Sequence, residues 1–355
     1  MAPLQRQLCL YVSGHGLGHA ARVVAVVEQL LARGGWRLHL RSGAPRWFFD
    51  GVLGPDCDLA ELPDLDPGVI QSDSFTHDIP ATLSRWRALL GQAPQRAASE
   101  ARVLRERGCQ LVLTDVAPLG CAAAAAAGLP CVVLGNFTWD WILADYVGRD
   151  RAFAAVIAHI ARLYRSARLY LRLPMSPETE LFARQRDLPF TTRRATCPPE
   201  QVRLRLGLAR SDLMVLISFG GFGVRELCLD RVPLHPGVRC VWDRGPARPP
   251  ALLSARGLDV SYPDLIRAAD VVLTKPGFSI ISESVAGRTA LAYAPRPGFR
   301  ESALLERFLR RTWPSVRLAP DALADGSWVD QLVAWWCPRR RFPALPHDGA
   351  ARAAQ

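Results

Sequence analysis

Two histidines lie in a glycine-rich turn near the start of the chain, SGHGLGHAAR, from Ser13 to Arg22. His15 and His19 are spaced i, i+4, and Gly14, Gly16 and Gly18 alternate with them. The turn joins an apolar run, LCLYV, to AARVVAVVEQLLAR, whose apolar residues recur at helical spacing. A helix start offers free N–H groups and partial positive charge, which suit a phosphate or a developing oxyanion. Imidazole titrates near neutrality, so a histidine here can take a proton in catalysis. As metal ligands the pair is disfavoured, because the intervening glycines work against a rigid helical i, i+4 set. As a dinucleotide fingerprint the G-x-G-x-G spacing is wrong. The next apolar run ends HLRSG, with Arg41 and no acid for a ribose, so NADP is the remaining dinucleotide option. The bland alternative is two loop histidines without chemistry.

Four further stretches follow apolar runs in the same way. LTDVAP puts Asp115 at the end of a buried-looking strand. A carboxylate there is costly unless paired. In a parallel sheet it falls at the same edge as the histidine turn, where it would orient an imidazole; the competing role is to cap the following alanine helix. NFTWDWILADY offers Asn136, Trp139 and Asp140 as the lining of an acceptor pocket, with core packing the rival reading for Trp139 and Trp141. SFGGFG, from Ser218 to Gly223, places Gly220 and Gly221 at a strand end, where a ligand can approach the backbone.

VVLTKPGFSIISES carries Lys275, the single lysine among 44 basic residues. A compact ammonium suits a crowded turn that a planar guanidinium does not. Pro276 and Gly277 complete the turn, and Ser279 is expected to cap the next helix with its N-terminus toward a diphosphate. Glu283, one turn further, is placed to reach ribose hydroxyls, or simply to sit favourably near a helix start.

The elements that must position these residues alternate strand and helix twice over. Such an order implies parallel sheets with helices on both faces, and ligands at the carboxyl ends of the strands. A chain of 355 residues suits two domains. The expected division is an N-terminal domain over 1–172, a connection over 173–200, a second domain over 201–337, and a disordered tail over 338–355 by composition. The net charge of +11 favours anionic partners such as nucleotides or phospholipid surfaces. No RNA- or DNA-binding signature appears, so nucleic acid is not expected as a partner, and nothing singles out a peripheral membrane surface. Nine cysteines without metal-ligand spacing, several in apolar runs, suggest buried thiols in a reducing compartment. The N-terminus reaches glycine too early for a signal peptide, so a cytoplasmic location is expected.

Together the motifs resemble the glycosyltransferase-like region that precedes the sugar kinase domain of plant L-arabinokinases. The resemblance runs from YVSGHGLGHAARVV through TDVAPLGCAAAAAAGLPCVVLGNFTWDWILADY and LYLRLP to SFGG and KPGFSIISES. No GHMP kinase domain follows, so sugar kinase activity is not expected. More distantly the chain is similar to GT-B glycosyltransferases, among them the peptidoglycan N-acetylglucosaminyltransferase and the UDP-glycosyltransferases, and to the UDP-sugar hydrolase of pseudaminic acid synthesis. The resemblance implies a GT-B fold, two Rossmann-like domains facing across a cleft. It implies a UDP-linked sugar as donor substrate, an unidentified acceptor, and no cofactor. It places the family's base on His19, oriented by Asp115, with His15, Gly16, Gly18, Arg22, Asn136, Trp139 and Asp140 around the acceptor. It assigns Gly220, Gly221, Lys275, Gly277, Ser279 and Glu283 to the nucleotide. Where arabinokinase-like sequences tend to have Gly then Thr, this chain has Ser279 then Ile280, which displaces one hydroxyl donor to phosphate. No DxD-like acidic pair stands out to hold a metal. Hydrolysis of the nucleotide sugar, and binding without catalysis, are the two rival functions.

Overall fold

A computed structural model describes residues 5–72, 75–220, 235–243, 252–319, 321–337 and 340–355. Gly221 lies outside the described residues. Contacts divide the chain into two units: 1–72, 77–191 and 348–355 form the first, and 73–76 with 192–347 the second. The main break therefore falls at Thr191, inside the stretch expected to be the connection.

The first unit contains, in chain order, β1 (Arg6–Val12), α1 (Leu17–Arg33), β2 (Trp36–Ser42), β3 (Cys57–Glu61), α2 (Ile79–Glu106), β4 (Leu111–Asp115), α3 (Pro118–Ala127), β5 (Cys131–Gly135), α4 (Trp139–Leu143), α5 (Phe153–Tyr164), β6 (Leu169–Arg172) and β7 (Gln185–Asp187). All strands are parallel, in the order β3-β2-β1-β4-β5-β6-β7. The centre of such a sheet is covered on both faces, so its strands read as continuous apolar runs rather than alternating ones. β1 is buried without a break from Leu8 to Val12.

The second unit continues with α6 (Pro199–Arg205), β8 (Leu213–Ile217), β9 (Val238–Trp242), β10 (Leu252–Ser254), α7 (Tyr262–Ala268), β11 (Val271–Thr274), α8 (Phe278–Gly287), β12 (Ala290–Tyr293), α9 (Ser302–Arg311), β13 (Ser315–Arg317), α10 (Ala322–Asp325) and α11 (Trp328–Trp335). Its sheet is again all parallel, ordered β10-β9-β8-β11-β12-β13. Each unit has its own apolar core.

Both sheets reverse their strand order at the centre, between β1 and β4 and between β8 and β11. Ligands bind open α/β sheets outside the carboxyl ends of the strands at such a switch point, because the loops there splay to opposite faces. The histidine turn and Asp115 leave the adjacent strands β1 and β4, whose register pairs Val12 with Asp115. SFG and the lysine turn leave β8 and β11, paired through Ile217 and Leu273. Each pair of sequence motifs thus meets at the switch point of its own sheet.

Three expectations are corrected. The helix whose second half is plain in ASEARVLRERG, from Ala98, already starts at Ile79; Gly91 and Pro94 obscure its first half in sequence, and Asp78 caps it by accepting from the Ala81 N–H at 2.9 Å. Ser279 is not a cap: α8 is capped at Gly277 without any side-chain hydrogen bond, and Ser279 lies inside the first turn. The tail expected to be disordered ends in a helix, α12 (Gly349–Ala353). Ala350 and Ala354 join the first unit's core, and Gly349 N–H bonds the Phe190 carbonyl at 3.0 Å. Small alanine side chains packing against α1 were enough to order it, which composition does not register.

Candidate functional site

The turn between β1 and α1 is built by close backbone approach. A Cβ on Gly14 would lie 2.8 Å from the Gly43 carbonyl carbon, so only glycine lets the two loops meet. Gly16 caps α1 at φ 81°, a left-handed conformation that disfavours other residues, with no side-chain cap and no acid in the first turn. Gly18 falls within α1. Ser13 donates to Asp66 Oδ1 at 3.0 Å and accepts the His15 N–H at 3.2 Å.

His19, in the first turn of α1, is buried, as are Arg22, Asp115 and Asn136. His19 Nδ1 lies 3.1 Å from Asp115 Oδ2. Arg22 donates from Nε to Asp115 Oδ1 at 2.8 Å and from one terminal nitrogen to Asn136 Oδ1 at 2.7 Å. Its other terminal nitrogen stands 2.6 Å from His19 Nδ1. Asn136 in turn donates to the Pro174 carbonyl at 2.8 Å. His19, Arg22 and Asp115 therefore form one closed network, with Asn136 anchoring it. Burial is the main influence on His19 and lowers its pKa below the ordinary imidazole value; Asp115 pulls it up and Arg22 pushes it down. The imidazole is neutral near pH 7. Asp115 does not cap α3, whose cap position is Ala117 without a side-chain bond. The networked reading of Asp115 holds over the capping one.

The backbone that presents Asp115 is strained. Val116 adopts φ 49°, an uncommon conformation for a β-branched residue. Its carbonyl accepts the buried Tyr164 hydroxyl at 2.5 Å. A side chain at Gly135 would collide with Val116 Cγ1, so glycine at the end of β5 makes room for the turn. Strain of this kind costs about 1–3 kcal/mol and persists only where surrounding contacts over-determine it.

Aromatic rings wall the network. Trp139 stacks with His19 at 6.1 Å between centroids and meets His15 edge-on at 5.2 Å. It also touches Phe137 and Trp86, so it is both core and wall. His15 lies 3.2 Å from Gln71 Nε2 through its Nε2, and its ring packs on Gly68. His15 and His19 thus face different partners, with ring centroids 6.4 Å apart. Asp140 is partly exposed at the start of α4. Arg41 is committed to Glu100 on α2 at 2.7 Å, which leaves it unavailable for a ribose 2′-phosphate.

In the second unit, Gly220 adopts φ 73° and a Cβ there would meet nothing. Gly277 is extended at φ −160°, so its backbone does not demand glycine; what it leaves is open space before α8, a Cβ meeting only Ile280 at 3.6 Å. The first N–H groups of α8 have no side-chain cap. Lys275 is half-buried at the end of β11. Burial, with repulsion from Arg296, brings its ammonium down to about 7, against attraction from Glu301. Arg296 itself is buried, 3.4 Å from Glu301 and over the Phe299 ring. Lys275 and Arg296 therefore repel each other, with Glu301 attracting both.

Glu283 is buried but occupied. Its Oε1 accepts two bonds from Arg193, at 2.9 and 2.6 Å. Arg193 also lies over Tyr262, 5.6 Å from the ring centroid, and Tyr262 bonds Ser218 at 2.6 Å. Sequence reading missed Tyr164, Arg193, Tyr262, Arg296 and Asp66. Only Asp66, in the DLDPG turn, carried a signal, an acid among apolar neighbours. Burial drives the Asp66 carboxyl up to about 7.

No protein-family model matches the chain. Two all-parallel sheets with flanking helices, each with its site at the switch point, define a GT-B glycosyltransferase fold. The solved structure of Arabidopsis thaliana UGT89C1 complexed with quercetin matches over 99% of this chain and 93% of its own, with TM-score 0.64 and 16% identity. The UDP complex of the same protein matches with TM-score 0.63 and 14% identity over 99% and 94%. The chain has the GT-B fold and is similar to part of L-arabinokinase from Arabidopsis thaliana, 31% identical over 330 residues. That similarity covers 91% of this chain and 31% of that protein, so the chain spans about a third of that relative's length. An uncharacterized glycosyltransferase of Methanopyrus kandleri is 25% identical over 325 residues, 85% of this chain and 89% of its own. Among the described residues no helix is long and apolar enough to cross a membrane.

Proposed function

We propose that the protein transfers a glycosyl group from a nucleotide sugar, UDP-linked, to an acceptor hydroxyl with inversion at the anomeric carbon. The observation that carries this reading is the buried His19–Asp115 contact at 3.1 Å, raised on a strained turn at the switch point of the first sheet. When the carboxylate holds a proton on Nδ1, Nε2 is the basic atom. Among the described residues the ring's hydrogen-bond partners all fall on Nδ1. The acceptor oxygen gives its proton to Nε2 as it forms the bond to the anomeric carbon, and the bond from that carbon to the diphosphate oxygen breaks.

The departing diphosphate gains negative charge. Lys275, Arg296 and the positive end of α8 are the groups that offset it. Glu283, steadied by Arg193, keeps its other oxygen for a ribose hydroxyl. The UDP and quercetin bound to the Arabidopsis thaliana relative support a nucleotide donor and a hydroxylated acceptor. A helix start capped by glycine alone, two residues after a half-buried lysine whose proton affinity is lowered, supports the donor side.

The test begins with a panel of nucleotide sugars incubated with cell extract and read by untargeted mass spectrometry. A glycoside product supports transfer; free sugar alone shifts the reading to hydrolysis. With the donor in hand, His19→Ala is expected to lower turnover by roughly 10²–10⁴ with UDP affinity nearly unchanged. Wild-type turnover in that variant would remove His19 from the role of base.

A further inference from the structure

His19 Nδ1 has two claimants and can satisfy one. Asp115 can only accept a hydrogen bond when ionised, so its contact requires a proton on Nδ1. Arg22 can only donate, so its contact requires a lone pair there. The guanidinium nitrogen is the nearer, at 2.6 Å against 3.1 Å for the carboxylate. Arg22 is also held by two further hydrogen bonds, to Asp115 Oδ1 and to Asn136 Oδ1, and Asn136 is itself tied to the Pro174 carbonyl. The guanidinium is thus fixed from three sides with a donor aimed at Nδ1. A neutral imidazole that accepts at Nδ1 carries its proton on Nε2.

We propose that Arg22 is a positioning residue that sets the tautomer of His19, holding it in the Nε2–H form in the ligand-free chain. This rests on His19 being the base of the proposed transfer. In the Nε2–H form the ring can donate a hydrogen bond but cannot remove a proton from a hydroxyl at that atom. The base becomes competent when the guanidinium leaves Nδ1 and the proton resides there, against Asp115. A donor-loaded site without a correctly seated acceptor then has no base to activate water, which favours transfer over hydrolysis. Arg22 therefore acts through His19, not on the acceptor as sequence reading placed it. Burial keeps the ring neutral, so the choice is between tautomers and not between charge states.

The experiment is nitrogen-15 NMR of histidine-labelled protein at mildly alkaline pH, where the two ring nitrogens report the tautomer directly. His19→Gln identifies the His19 signals among the seven histidines. The wild type is expected to show His19 mainly as Nε2–H, and Arg22→Met mainly as Nδ1–H, because Asp115 then has sole claim on that nitrogen. Nδ1–H in the wild type overturns the proposal, even if Arg22→Met fails to fold. An unchanged Nε2–H signature in a folded Arg22→Met overturns it equally. Neither readout depends on turnover, so failure here is distinct from failure of His19 as base, which the His19→Ala kinetics judge.

Discussion

The two glycine turns at the sheet centres solve opposite problems. Around the first, every strong charge is spent internally: Asp115 takes Arg22, Arg22 takes Asn136, and His19 lies between them. Around the second, Lys275 has a repelling neighbour in Arg296 and a helix start with no cap. Closed networks orient a group that must do chemistry, because each member fixes the next. Lys275 and Arg296 repel each other and share Glu301 as their acid, so a further anion would relieve that repulsion. On the proposed function, the same strand–turn–helix scaffold would carry a chemical device in one unit and a binding device in the other.

Stability separates the two most sharply. Asp115→Ala leaves the Arg22 guanidinium buried without its carboxylate, and breaking a buried pair from one side costs about 3–5 kcal/mol. Lys275→Met removes a half-buried cation beside another cation and should leave the melting temperature unchanged or higher. Calorimetric melting of both variants checks this; equal losses would erase the distinction between closed and open turns.

A smaller effect tests how the closed network is mounted. Tyr164→Phe strips the Val116 carbonyl of its hydroxyl donor in a fully buried place. Such an unsatisfied group costs about 1–3 kcal/mol. The loss should appear in urea unfolding, together with lower turnover, because the strained residue adjoins Asp115. Lost stability with normal turnover would make the clamp purely structural.

The smallest signal concerns proton linkage at the open turn. The Lys275 pKa is depressed to about 7 in the folded chain. Below that pH the lysine is charged folded and unfolded alike, and the cost of burying the charge is fully present. Between about 7 and the ordinary lysine value the unfolded chain binds the extra proton, so this group's contribution to stability rises with pH. A bound diphosphate favours the charged form and reverses the shift. UDP binding near pH 8 should therefore take up a fraction of a proton, seen by calorimetry in buffers of different ionisation enthalpy. Uridine, or UDP with Lys275→Met, should take up less. Equal uptake for UDP and uridine would detach Lys275 from the diphosphate.

The strand–turn–helix units were legible because apolar runs, helical spacing and glycine punctuation are local properties. Lys275 was legible because it is the single lysine, and Asp115 because an acid ending an apolar run needs a partner. Ser279 as a cap was not, since Gly277 gives α8 its start one residue before Phe278. The tail was missed because alanine contacts with α1 are invisible to composition. Arg193, Tyr262 and Arg296 are ordinary in sequence; what marks them is whom they touch.

The sequence alone determined the alternation of strands and helices and the two parallel sheets, because these depend on residues near one another in the chain. Whether a charged group is free or spent was decided only by the tertiary structure. Arg22 and Asp115 stand 93 positions apart and Arg193 and Glu283 90. A guanidinium's role depends on whichever acceptor the fold brings within hydrogen-bond reach. No local pattern records which acceptor that will be.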